Sequence, residues 1–177
     1  MLLECAIALY AAGTAHSVAL LTFGADSLVE LLSASVVLLS FMPSFSIAKG
    51  RAARWEGILL FVLAVVIAIT AIGTLMRGNQ PESSCAGIGI TIAALGVMPI
   101  LAWLKRRTAR TTGSRALAAD AMQSATCAYL AAVTLAGLAI NALWHIRWVD
   151  ASAALLALPI LILEGQRALR GEDCGCC

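Results

Sequence analysis

The sequence predicts an all-α integral membrane protein, a six-helix transmembrane bundle, on three observations. The chain is 61% hydrophobic and only 12% charged over 177 residues. Its mean hydropathy of +0.92 exceeds what a water-soluble domain of that length needs to bury. The apolar residues form continuous runs rich in Ala, Leu, Ile and Val, without the period-two alternation of barrel strands. The basic residues gather between those runs, ten of the twelve falling on alternate connections and in the tail. A net charge of +2 is too small to point to nucleic acid, and no phosphate-binding loop occurs. The N-terminus has no basic region ahead of its apolar run, so a cleaved signal peptide is not expected. Of the six cysteines, Cys5, Cys85 and Cys127 fall in or beside spans, while Cys174, Cys176 and Cys177 crowd the C-terminus. That pattern is not a disulfide framework.

Taken in order, the predicted spans are 2–18, 20–42, 57–76, 85–104, 116–143 and 148–163, within a transmembrane domain over residues 1–168, followed by a short Cys-rich tail, 169–177. Span 1 is short for a bilayer and carries Glu4 at its start, as expected if part of the helix precedes Met1. Span 2 ends at Pro43, and residues 44–56 read as a loop with Lys49, Arg51 and Arg54. Gly78, Asn79 and Pro81 mark a surface turn after span 3. Span 4 carries Gly87, Gly89 and Gly96, residues that allow close helix contact, and Pro99, which should kink it near its end. The connection from Lys105 to Arg115 is strongly basic. By the positive-inside rule it faces the cytoplasm with both termini, across a cell (inner) membrane, leaving only Arg77 and Arg147 outside. Trp103, Trp144 and Trp148 are expected as interfacial anchors; Trp55 fits that role or a plain lipid-facing one equally.

Span 2 contains the feature that calls for chemistry. Asp26 and Glu30 lie four residues apart inside an apolar run, on one helical face. Carboxylates at that depth are costly and normally mark an ion or proton path. No Lys or Arg lies in the middle of another apolar run, so no basic partner is expected for them. Span 5 answers with Asp120, Gln123 and Cys127 at spacings of three and four, and Thr134 and Asn141 continue the face at steps of seven. For Thr134 and Asn141, ordinary hydrogen bonding between helices is sufficient. Glu30 lies about 15 Å from the outer start of span 2 and Cys127 about 16 Å from the inner start of span 5. In a core about 30 Å thick, both reach the midplane. Asp26, Glu30, Gln123 and Cys127 would supply two carboxylates, an amide oxygen and a thiolate, a set that suits zinc or another divalent transition ion.

The segment Ser17-Val18-Ala19-Leu20-Leu21-Thr22-Phe23-Gly24-Ala25-Asp26-Ser27-Leu28-Val29-Glu30 resembles the cation diffusion facilitator (cation efflux) signature, in which a Ser-x-Ala-Leu segment leads into Asp-x-x-x-Asp or His-x-x-x-Asp. Ala119-Asp120-Ala121-Met122-Gln123 is similar to that family's fifth span, Ala-Asp-x-x-His-x-x-x-Asp. The resemblance implies a six-span bundle with cytoplasmic termini that moves divalent cations. Gln123 stands at the family's His and Cys127 at its Asp, as in a divergent branch. Typical members add a cytoplasmic C-terminal domain that binds metal and helps dimerise. The chain ends shortly after span 6, so that domain is not expected, and a homodimer is carried only as an implied partner.

The resulting expectation is a zinc-like efflux transporter, not an enzyme, with divalent metal ions, protons and the lipid bilayer as partners. It needs no tightly bound cofactor beyond the transported cation. The competing expectation is a membrane metal-binding or accessory protein that keeps the bundle without transport. Three further groups stay open. Glu4 reads as a third site acid if it lies deep, or as an interfacial charge. Cys174, Cys176 and Cys177, with Glu172 and Asp173, read as a soft-cation collector or a frayed tail. His16 and His145 read as an exit vestibule or as water-satisfied interfacial rings.

Overall fold

The computed structural model of the chain describes residues 2–39, 49–78, 82, 84–113, 115–144, 146 and 148–170. Among them six helices follow one another: α1 (Leu2–Ala15), α2 (Val18–Leu39), α3 (Lys49–Arg77), α4 (Cys85–Thr112), α5 (Arg115–Trp144) and α6 (Val149–Arg170). Apolar chain in a bilayer must satisfy its own backbone, which a helix does within one segment. Four stretches, Gly57–Arg77, Cys85–Thr112, Asp120–Trp144 and Val149–Arg170, are long and apolar enough to cross a membrane. The chain is a multi-pass membrane protein of the expected all-α class.

Helix α1 packs on α2 and α4, and α5 packs on α4 and α2, so α1, α2, α5 and α4 close into a ring. Helices α3 and α6 pair with each other; α3 also packs on α2, and α6 on α2 and α5. The ring is filled by small and large apolar side chains, among them Ala8, Phe23, Ala94, Met98, Leu130 and Ala131, all buried. Close approach relies on glycine at particular points. A Cβ on Gly24 would stand 3.0 Å from the Leu9 backbone nitrogen of α1. A Cβ on Gly57 would stand 2.9 Å from the Gly165 carbonyl oxygen, where α3 meets α6.

The turn between α1 and α2 shows how local chemistry fixes the ring. His16 takes a left-handed conformation, φ 50°, and the Ser17 N–H donates back to the Ala12 carbonyl at 3.2 Å, the closing pattern of a helix C-terminus. Ser17 then caps α2: its hydroxyl accepts from the Leu20 N–H at 3.1 Å. The Asp150 carboxylate of α6 completes the cap. It accepts from the Ser17 hydroxyl at 2.5 Å, the Val18 N–H at 2.7 Å and the Ala19 N–H at 3.3 Å.

The structure departs from the sequence expectations at helix ends. The supposed loop 44–56 is helical from Lys49, α4 continues past Leu104 to Thr112, and α6 runs on to Arg170. Charged residues are good helix formers where they meet water or headgroups, so helices outlast their apolar runs. Pro99 therefore lies inside α4 and not near its end. Of the glycines expected to serve contact in α4, only Gly87 does: a Cβ there would come within 2.6 Å of Leu20, whereas Gly89 and Gly96 face open space. Pro43 lies outside the described residues.

Candidate metal centre

The acids of α2 point into the ring. Asp26, Ser27 and Glu30 are each 0% exposed, since spacings of four and three residues before Glu30 bring Asp26 and Ser27 to its α5-facing side. Across from them, α5 turns inward Asp120, Gln123, Ser124 and Cys127, all buried. From α1 come Glu4 and Cys5, also buried. Of the two readings open for Glu4, the structure places it with the interior acids.

The side chains meet in two groups. In the first, the Cys127 Sγ lies 3.9 Å from the Ser27 Oγ and 3.9 Å from the Glu4 Oε1. Asp26, Glu30 and Glu4 all lie within electrostatic reach of this thiol. In the second, the Lys105 Nζ of α4 lies 2.9 Å from the Asp120 Oδ2, 3.8 Å from the Glu30 Oε1, and donates to the Ser124 Oγ at 2.8 Å. The Ser124 hydroxyl in turn donates to the Glu30 Oε1 at 2.7 Å. Glu30 joins the groups. Its Oε1 is engaged by Ser124 and Lys105, while its Oε2 is buried with no hydrogen-bond partner among the described residues.

Lys105 overturns the expectation that the α2 acids lack a basic partner. Its position at the end of an apolar run assigned it to a loop, but α4 is still helical there. Its ammonium reaches inward to the buried acids, while the side chain stays 21% exposed. Ser27 and Ser124 were also missed. Their signal was spacing: Ser27 lies three residues before Glu30, and Ser124 lies four after Asp120 and three before Cys127, so each shares a helical face with a predicted polar residue. Asp150, the second residue of α6, is 0% exposed, with its carboxylate turned onto the start of α2.

The donors gathered here are carboxylate oxygens, hydroxyls, an amide and one thiol, a mixed O and S set that fits a divalent transition cation. Among the described residues, no three His, Cys, Asp or Glu side chains close on a single metal-sized point. In this structure the ligand candidates stand around the ring interior and Glu30 is drawn toward Lys105. Thr134 lies farther along α5, its hydroxyl donating to the Ala19 carbonyl at 3.4 Å, a link between α5 and α2 outside the acid cluster. His16 is exposed and serves the α1 terminus. His145 and the tail cysteines Cys174, Cys176 and Cys177 lie outside the described residues.

Comparison with known proteins bears on this arrangement. Residues 52–171 match the family described as the cation efflux transmembrane domain. No curated protein matches the chain. The matched segment is more than half of the chain; it spans almost all of α3 and the whole of α4, α5 and α6, and so includes Lys105, Asp120, Gln123, Ser124 and Cys127. The buried acids inside a helical membrane bundle and this match agree: the chain belongs to the cation efflux family, whose members carry metal cations across membranes.

Proposed function

We propose that the chain exports a divalent transition-metal cation of zinc-like character in exchange for protons, through the buried acids between α2 and α5. One observation carries this reading: Asp26 and Glu30 are wholly buried in a membrane-spanning bundle, both within electrostatic reach of the Cys127 thiol, with Glu30 accepting from the Ser124 hydroxyl of α5. Carboxylates are held at such cost for ion or proton movement. Asp26, Glu30, Gln123 and Cys127 are the ligands, with Glu4 as an additional acid from α1. A thiolate among oxygens favours zinc and cadmium over magnesium or manganese. Metal binds the deprotonated groups, so metal and protons compete for the same atoms. Alternating exposure of that competition to the two sides of the membrane couples their opposite movement. On the positive-inside distribution of Lys and Arg, the cytoplasm lies at the Lys105 end, and the Cys174–Cys177 tail is cytoplasmic.

A second reading, a membrane metal-binding or accessory protein without transport, is favoured by Gln123 and Cys127 standing where the family pattern has His and Asp. Reconstituted vesicles separate the two. With zinc outside and a zinc dye inside, transport predicts saturable dye signal that rises with an opposing proton gradient. Zinc bound by the protein without vesicle filling supports the second reading.

A further inference from the structure

The contacts of Lys105 are those of an ion in a site. Its ammonium nitrogen stands among oxygens from two other helices: the Asp120 Oδ2 and the Ser124 Oγ of α5 at 2.9 and 2.8 Å, and the Glu30 Oε1 of α2 at 3.8 Å. Glu30 is 0% exposed and Asp120 is 6% exposed, while the lysine side chain enters from a more open position. A lysine kept only for packing would not need to bring its charge to two buried acids. Without a cation here, Glu30 and Asp120 would sit near each other with no compensation, an arrangement that a low-dielectric interior penalises heavily.

We infer that Asp120, Ser124 and the Glu30 Oε1 form a second cation subsite, beside the ligands of α2 and Cys127, and that the Lys105 ammonium is its tethered occupant. The inference deepens the proposed function and rests on that reading for one part, the competition with a transported metal. Glu30 is shared. One oxygen faces the ammonium through Ser124, and the other, Oε2, is buried without a hydrogen-bond partner among the described residues. A divalent ion drawn to Glu30 must either displace the ammonium or bear its repulsion at short range. A +2 ion competes where a +1 ion does not, because its attraction to a carboxylate is twice as large at equal distance. Lys105 thus acts as a selectivity element that keeps sodium, potassium and other monovalent cations out of the acid cluster. It also holds α4 to α2 and α5 until a divalent ion arrives. It is a positioning residue, not a metal ligand.

The test uses the purified full chain in detergent. Thermal unfolding is measured for the parent and for Lys105→Met in choline chloride, then in sodium or potassium chloride at the same ionic strength. The vacated subsite should accept the small cation, so Lys105→Met should melt several degrees higher in sodium or potassium than in choline. The parent, whose subsite is filled, should not respond. An equal response in both proteins, or none in the variant, overturns the inference. Zinc titration by calorimetry forms the second arm. Removing the resident charge should tighten zinc binding by at least about tenfold, and unchanged or weaker binding overturns the competition. Lys105→Gln keeps a donor for Asp120 and decides both questions where the Met variant does not fold. Monovalent rescue with no zinc binding to either protein supports the subsite and removes the zinc reading. Zinc binding of equal strength in both, without rescue, removes the subsite and leaves the zinc reading standing.

Discussion

Replacing Asp150 by alanine should destabilise the bundle by about 2–5 kcal/mol, although its position near a helix end suggests a tolerant site. The carboxylate accepts three hydrogen bonds that fix the start of α2, from the Ser17 hydroxyl and the Val18 and Ala19 N–H groups. All of the participants are buried. Leaving a buried donor unpaired costs about 1–3 kcal/mol. Polar contacts within membrane bundles average only about 0.6 kcal/mol, because the reference state finds other partners. Three contacts at about 0.6–1.3 kcal/mol each, toward the lower of those limits, with about 0.3–1 kcal/mol from a negative charge at a helix N-terminus, give the range stated. Asn at 150 retains one acceptor oxygen and should cost less, about 1–2 kcal/mol. Denaturant unfolding in detergent, followed by helical circular dichroism, measures both variants. Loss of the cap should also impair metal transport, since Asp26 lies eight residues, about 12 Å, along the helix that it orients. If Asp150→Ala unfolds within about 0.5 kcal/mol of the parent, the surface-substitution range, the cap does not organise α2 and the reasoning fails.

Four further outcomes are expected. Asp26→Asn and Glu30→Gln should each abolish zinc-driven proton movement in proteoliposomes while leaving helix content intact; full movement in Asp26→Asn would remove the acid pair from the exchange site. Cys127→Ala should weaken cadmium and zinc binding more than manganese binding, measured by competition with a metal dye, and equal cadmium affinity in the two proteins would make Cys127 a packing residue. Gly57→Val should force α3 from α6, because even a Cβ there would meet the Leu169 Cγ at 2.8 Å; a lowered unfolding midpoint checks this, whereas Gly89→Ala, with open space around it, should change little. With single-cysteine proteins in intact cells, an impermeant thiol reagent should reach the exposed Cys85 and should reach Cys174, Cys176 or Cys177 only after permeabilisation, as the basic loops require.

Much of the architecture was legible in the residue order. Six apolar runs became six helices because a chain in lipid has few ways to satisfy its backbone. The inward faces of α2 and α5 could also be read, because Asp26 with Glu30, and Asp120 with Gln123 and Cys127, repeat at helical spacing and lipid does not accept them. All five are buried in the structure. Helix ends were less legible. Apolar content stops where the bilayer interior stops, but hydrogen bonding continues through charged residues, so α3, α4 and α6 extend beyond the apolar runs.

What the sequence determined by itself was therefore the set of helices and which of their faces must be turned away from lipid, both consequences of periodicity and the cost of exposed polarity. Which helices pack together was decided only in three dimensions, by local shape: the glycine contacts at Gly24 and Gly57, and the open space around Gly89 and Gly96, depend on which helix lies opposite. The same is true of two charged residues, Lys105 and Asp150. Lys105 meets Glu30 from seventy-five positions away and Asp150 meets Val18 from one hundred and thirty-two. Position along the chain says how deep a backbone lies, but a long or terminal side chain reaches several ångströms from it, and its partner is set by packing.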